Sequence, residues 1–203
     1  MTVATSDRPI GRRPAFTLVE ALVAVTIAAV AASALLMGIH SSLQTTDAAM
    51  QQTIAAGMAQ QVIDEVVGNL YCQPGLTGYQ TTLGPSSSEA QGTGRERFND
   101  IDDYHAQRAK PPEDPWGVVL GKDNGKGGQR HVAFQAPTGY FDNWQQEIDV
   151  YYVRESDTSV RLPSGQTSDY RAVEVRIVDV QPDGARRELV KLRRVVAYVP
   201  VLP

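Results

Sequence analysis

Apolar and polar positions divide the chain into three regimes. From Ala21 to Ile39 no residue is charged, and alanine, valine, leucine and isoleucine dominate. At ~1.5 Å per residue such a run crosses the ~30 Å hydrocarbon layer of a bilayer as one helix. No proline falls between Pro14 and Pro74, and within that stretch only Gly38, Gly57 and Gly68 weaken helix propensity. A single helix is therefore predicted over residues 16–70, roughly 80 Å long. It is expected to be transmembrane over about 20–40 and amphipathic beyond, with Gly38 its softest point.

Stepping ~100° per residue around this helix separates two apolar stripes. Leu36, Ile39, Leu43, Met50, Ile54 and Met58 share one face. Val62, Ile63, Val66, Val67 and Leu70, with Ala55, Ala56 and Ala59, fall nearly opposite. The later stripe is expected to pack under the chain's own sheet and the earlier one to be left for neighbouring molecules.

The polar regime follows. Residues 73–95 are rich in Gly, Pro, Ser and Thr without apolar period, which predicts a flexible surface loop within a globular part spanning 71–203. The last third alternates. Strands are predicted at His131–Gln135, Glu147–Arg154, Arg171–Val180 and Glu188–Val199, giving an antiparallel sheet over about 131–199. In the third of these Val173, Val175 and Ile177 face one way and Glu174 and Arg176 the other. Gln181-Pro182-Asp183-Gly184 predicts the hairpin turn into the last strand, because proline presets φ and glycine permits a positive one. Residues 121–128 (GKDNGKGG) lack the frame of a phosphate loop and read as another turn.

Charge sharpens the picture at the N-terminus. Arg8, Arg12 and Arg13 precede the apolar run, and the next basic residue is Arg95. This one-sided flank predicts a cytoplasmic N-terminus and a C-terminal part across the membrane. Glu20 stands out, since an unpaired carboxylate at the start of a membrane helix costs roughly a few kcal/mol unless partnered or neutral. The net charge of −4 argues against a binder of nucleic acid. One cysteine, Cys72, excludes an intrachain disulfide and a cysteine zinc site, and reads best as a small buried residue. No catalytic signature appears; His105 lies near Asp103, but nothing supplies a nucleophile or cofactor. Neither catalytic residues nor a cofactor nor a metal is predicted.

The string Arg12-Arg13-Pro14-Ala15-Phe16-Thr17-Leu18-Val19-Glu20 resembles the processing site of type IV pilins and pseudopilins. The resemblance implies a pilin-like α+β fold, with one long helix on an antiparallel sheet, and a cytoplasmic leader over residues 1–15. A prepilin peptidase would cut between Ala15 and Phe16 and methylate the new amine of Phe16. Glu20 would then serve subunit assembly by meeting the N-terminal ammonium of a neighbour, each charge relieving the other's desolvation. Implied partners are that peptidase, other pilin or pseudopilin subunits, an inner-membrane assembly platform and inner-membrane lipid. The protein would sit in the inner membrane with its C-terminal domain periplasmic, and then in a pilus or pseudopilus. The chain departs from the family at Ala15, where glycine is usual, and at Met37, where many major pilins have a kinking proline. Lacking the C-terminal cysteine pair common in major pilins, it is similar to minor pilins or pseudopilins.

A second string, Phe98-Asn99-Asp100-Ile101-Asp102-Asp103-Tyr104, is similar to segments of minor pilins of the mannose-sensitive haemagglutinin pilus class. Asp100, Asp102 and Asp103 offer oxygens for calcium, but without EF-hand spacing. A solvated turn anchored by Phe98 and Tyr104 is the expectation. The competing account of the whole chain is a secreted or membrane-anchored periplasmic β-domain binding protein with an ordinary export signal, cut after Ala32-Ser33-Ala34.

Overall fold

The computed structural model describes residues 17–73, 75–121, 128, 130–132 and 135–199. The chain divides into two compact units, residues 1–48 and 49–203. In the first, the described residues enter α1 (Leu18–Val67, 50 residues). Here α1 presents Leu22, Val25, Ile27, Val30, Leu35 and Leu36 with no covering side chains of the chain's own. It is the one helix among the described residues long and apolar enough, by length and composition, to cross a membrane. A surface so uniformly apolar is unfavourable in water and matched to lipid. Gly38 lies inside α1 without interrupting it, and the predicted start at Phe16 lies outside the described residues.

In the second unit, the rest of α1 lies against an antiparallel sheet. Ala55, Ala59, Val62, Ile63 and Val66 are buried, at the spacing of a single helix face. Val67 and Leu70 are exposed, contrary to the predicted stripe. The reason is local: α1 ends at Val67, and Leu70 leaves helical phase to exchange backbone hydrogen bonds with Asn99 and Ile101. The earlier stripe is divided. Leu36, Ile39 and Leu43 are exposed and Met50 is 48% exposed, while Ile54 and Met58 are half-covered by the core.

The strands are β1 (Gln107–Ala109), β2 (Trp144–Arg154), β3 (Asp157–Arg161), β4 (Tyr170–Val180) and β5 (Arg186–Ala197). Their order is β1-β2-β4-β5, every pair antiparallel, with β3 pairing the far end of β2. Trp144, Ile148 and Val150 of β2 and Val173, Val175 and Ile177 of β4 face α1 and form the core with Ile101, Tyr104 and Phe141. Side chains of opposite parity form the outer face, where Glu147 and Glu174 are ringed by Arg108, Arg176, Arg186 and Lys191. The hairpin turn stands where predicted: Gly184 has φ +86° and its N–H donates to the Gln181 carbonyl.

Two departures concern the sheet edge. His131, Val132 and Gln135 lie outside any strand, with a Gln135 to Val132 turn bond instead, and residues 133 and 134 lie outside the described residues. The edge of β2 is filled by β1, a segment too short and polar to signal itself in sequence. Most of residues 121–128 also lies outside the described residues. The described part of 73–95 is irregular apart from a 3-10 turn at Glu89–Gln91, and it is tied down at Glu89 and Arg95, both buried.

Candidate functional site

The first four backbone N–H groups of a helix lack intrahelical partners, and side chains around Thr17 supply some of them. The Glu20 carboxylate accepts hydrogen bonds from the Thr17 N–H at 2.9 Å and the Thr17 hydroxyl at 3.0 Å. In return, the Glu20 N–H donates to Thr17 Oγ1 at 3.3 Å. This reciprocal arrangement is a capping box, a functional feature whose sequence signal is Thr-x-x-Glu and which the apolar pattern alone does not disclose. It gives Glu20 a local partner, while its exposed carboxylate stays accessible to a second one. Ala15 and Phe16, the predicted cleavage and methylation positions, lie outside the described residues.

In the second unit the three aspartates are gathered, but inward. Asp100, Asp102 and Asp103 are each at most 4% exposed, so the expected solvated turn is in fact buried. The reason is the cation supplied by β4. Arg171, itself fully buried, places Nη1 3.0 Å from Asp102 Oδ1 and donates also to the Tyr71 and Gly78 carbonyls. Asp100 accepts the N–H groups of Asp102 and Asp103, and Asp103 accepts those of Asn99 and Asp100. These oxygens are committed to backbone and guanidinium, and among the described residues no group of three metal-ligating side chains exists. Phe98 and Tyr104 do anchor the turn, ring edge to ring face at 5.0 Å. Tyr104 donates to Glu65, which Arg95 grips with two parallel bonds of 3.0 Å. The end of α1 is thereby fastened to the loop.

Burial raises the Asp103 carboxyl to about 6, with the charges of Asp100 and Glu89 adding to it against the N–H bonds. Its folded value exceeds its unfolded one, so it holds a proton in the folded state that the unfolded chain has already lost. Its stabilising contribution is complete in acid and fades as pH rises from about 4 to about 6. Asp103→Asn is therefore expected to raise the melting temperature relative to the parent at pH 7.5, with the gain vanishing near pH 4. Equal differences at both pH values in thermal melts would contradict this.

Cys72 is half-buried, with its thiol 3.7 Å from the Leu76 carbonyl, and burial raises its pKa. His105 pairs with Asp149 on β2 at 3.0 Å, and not with its sequence neighbour Asp103.

A long capped helix leading onto an antiparallel sheet defines a protein of pilin-like α+β fold. Residues 11–36 match the family model described as the prokaryotic N-terminal methylation motif, so the chain carries the type IV prepilin signature. That signature implies processing by prepilin peptidase and assembly with other pilin subunits, and with the apolar helix it fits an inner-membrane anchored protein. No curated protein and no solved structure matches the chain.

Proposed function

We propose that the chain is a minor type IV pilin or pseudopilin, a structural subunit of a pilus or secretion-type filament and not an enzyme. The observation that carries this reading is the methylation motif at residues 11–36 continued by an apolar helix that the chain's own residues leave uncovered. The precursor inserts with Arg8, Arg12 and Arg13 on the cytoplasmic side and its C-terminal unit in the periplasm. Cleavage between Ala15 and Phe16 releases the leader, Phe16 is methylated, and α1 joins those of other subunits at the assembly platform. Glu20 pairs with a newly exposed ammonium, where low dielectric makes each charge the other's best partner. A minor rather than major role is supported by the single cysteine, Cys72, which leaves no pair to close a C-terminal loop.

Mass spectrometry of the mature N-terminus tests the reading. A chain beginning at methylated Phe16 is expected, accumulating faster for Ala15→Gly, which restores the usual residue before the cut. A chain beginning at Leu35 would establish the export-signal account instead.

A further inference from the structure

The second unit holds a half-open pocket of about 270 Å³ where β3 meets the end of β2, and the filament reading makes no use of it. Asp149 of β2 is the shared anchor for two cations there. Its Oδ1 lies 3.0 Å from His105 Nδ1, and its Oδ2 accepts from Arg161 Nη1 at 2.7 Å. His105 Nδ1 is also 2.6 Å from the Val150 carbonyl. Both neighbours of that nitrogen are acceptors, so it carries a proton. The other ring nitrogen, Nε2, is left without a partner among the described residues. Arg161 spends one N–H group on Asp149 and lies with its guanidinium carbon 4.3 Å from the Tyr151 ring centroid, which fixes the plane of the fork. Its remaining N–H groups are uncommitted among the described residues.

Part of the remaining lining is polar, beside the apolar Leu83, Val150, Leu162 and Pro163. Thr81, Thr82, Ser164 and Gln166 border the pocket, and their side chains make no hydrogen bond among the described residues. Arg161 and the rim side chains offer donors to this space, His105 Nε2 adds one once the imidazole is protonated, and the neighbouring Asp149 carboxylate is already shared between two cations. With the imidazole protonated, the local charge is positive by one.

We propose that this pocket binds an oxyanion, a carboxylate or phosphoryl group seated between His105 Nε2 and the free edge of Arg161, with hydroxyls at its rim. The charged groups facing the imidazole are Asp149 from β2 and Arg161 from β3. The Asp149 carboxylate 3.0 Å away raises His105 above its ordinary value, against the opposing effect of burial. Burial raises the Asp149 carboxyl, but the neighbouring His105 and the hydrogen bond from Arg161 prevail and hold it at about 2. The imidazole therefore stays charged nearer to neutrality than a free histidine, and the site empties as rising pH removes that proton. The pocket's geometry does not depend on whether the chain enters a filament.

The test uses the full chain in detergent micelles, with the ring signals of His105 followed by NMR and assigned by their loss in His105→Gln. Inorganic phosphate and glucuronate are titrated separately at constant ionic strength. A saturable shift is expected, with affinity falling about tenfold or more in Arg161→Met and by a smaller factor in Arg161→Lys, which keeps the charge but not the fork. Saturation by phosphate alone assigns the phosphoryl class, and by glucuronate alone the carboxylate class. A response that stays linear with both anions, or that saturates at the same concentration in Arg161→Met, would overturn the proposal. Arg161 is about half exposed, so both variants are expected to fold.

Discussion

Glu20→Gln is expected to leave a stable membrane precursor that is processed normally but enters filaments at least about tenfold less well. The choice of glutamine follows from the capping box. Glutamine satisfies the Thr17 N–H as glutamate does, because either side chain reaches back from the third helical position. What glutamine lacks is charge. If Glu20 serves only to cap α1, Glu20→Gln behaves as the parent and Glu20→Ala is the damaging change, costing about 0.5–2 kcal/mol of helix stability. If it meets an ammonium in a water-poor setting, glutamine and alanine fail alike, since the loss is an electrostatic one of roughly a few kcal/mol. Quantifying the subunit in sheared filaments against the membrane fraction separates the two. Normal incorporation of Glu20→Gln would refute the pairing role while leaving the cap intact.

Arg171→Met is expected to cost about 3–5 kcal/mol, the loss typical when one partner of a buried ion pair is removed. Arg171 is fully buried and its guanidinium holds four acceptors: the Asp102 carboxylate, the Tyr152 hydroxyl and the carbonyls of Tyr71 and Gly78. It also lies 4.5 Å from the Tyr71 ring centroid and 4.9 Å from that of Tyr152. Methionine fills similar volume, so the damage comes from leaving Asp102 charged and unpaired inside the fold. For a unit of this size the melting temperature falls by roughly 10 °C. Adding Asp102→Asn to Arg171→Met removes the stranded charge and recovers part of the loss. Calorimetry of the full chain in detergent checks both steps. A melting temperature within about 2 °C of the parent for Arg171→Met would mean that Arg171 does not hold Tyr71 and Gly78 in place.

The two predictions lie at opposite ends of what sequence discloses. Everything around Glu20 is local: the basic flank, Thr-x-x-Glu, and the uncharged run to Ile39 can be read from adjacent residues. Arg171 was half visible. Its position has the parity of Val173, Val175 and Ile177, so a charge on the inward face of β4 already required a buried counter-charge. Which of many carboxylates supplies it is not readable from sequence, because Asp102 and Arg171 lie 69 residues apart and meet only in the tertiary structure. The same holds for His105. Proximity in sequence suggested Asp103, but the turn at residues 102–104 commits that carboxylate to backbone N–H groups and turns the imidazole toward β2.

The misplaced edge strand has a related cause. A short apolar run such as His131–Gln135 does not by itself make a strand: the described His131, Val132 and Gln135 join no ladder, and the edge of β2 is taken by β1. β1 and β3 are short and polar, so they arise from the partner strand's unsatisfied backbone more than from any preference of their own.

The amino-acid sequence alone determined the capped apolar helix, its processing signature, the core-facing stripe from Ala55 to Val66 and the alternation of β4, because periodicity and capping act within a few residues. Tertiary structure alone decided that the aspartate turn is buried on Arg171 and that His105 and Arg161 share Asp149. Such pairings join residues far apart in the chain, and the low dielectric that makes them strong exists only once the fold has excluded water.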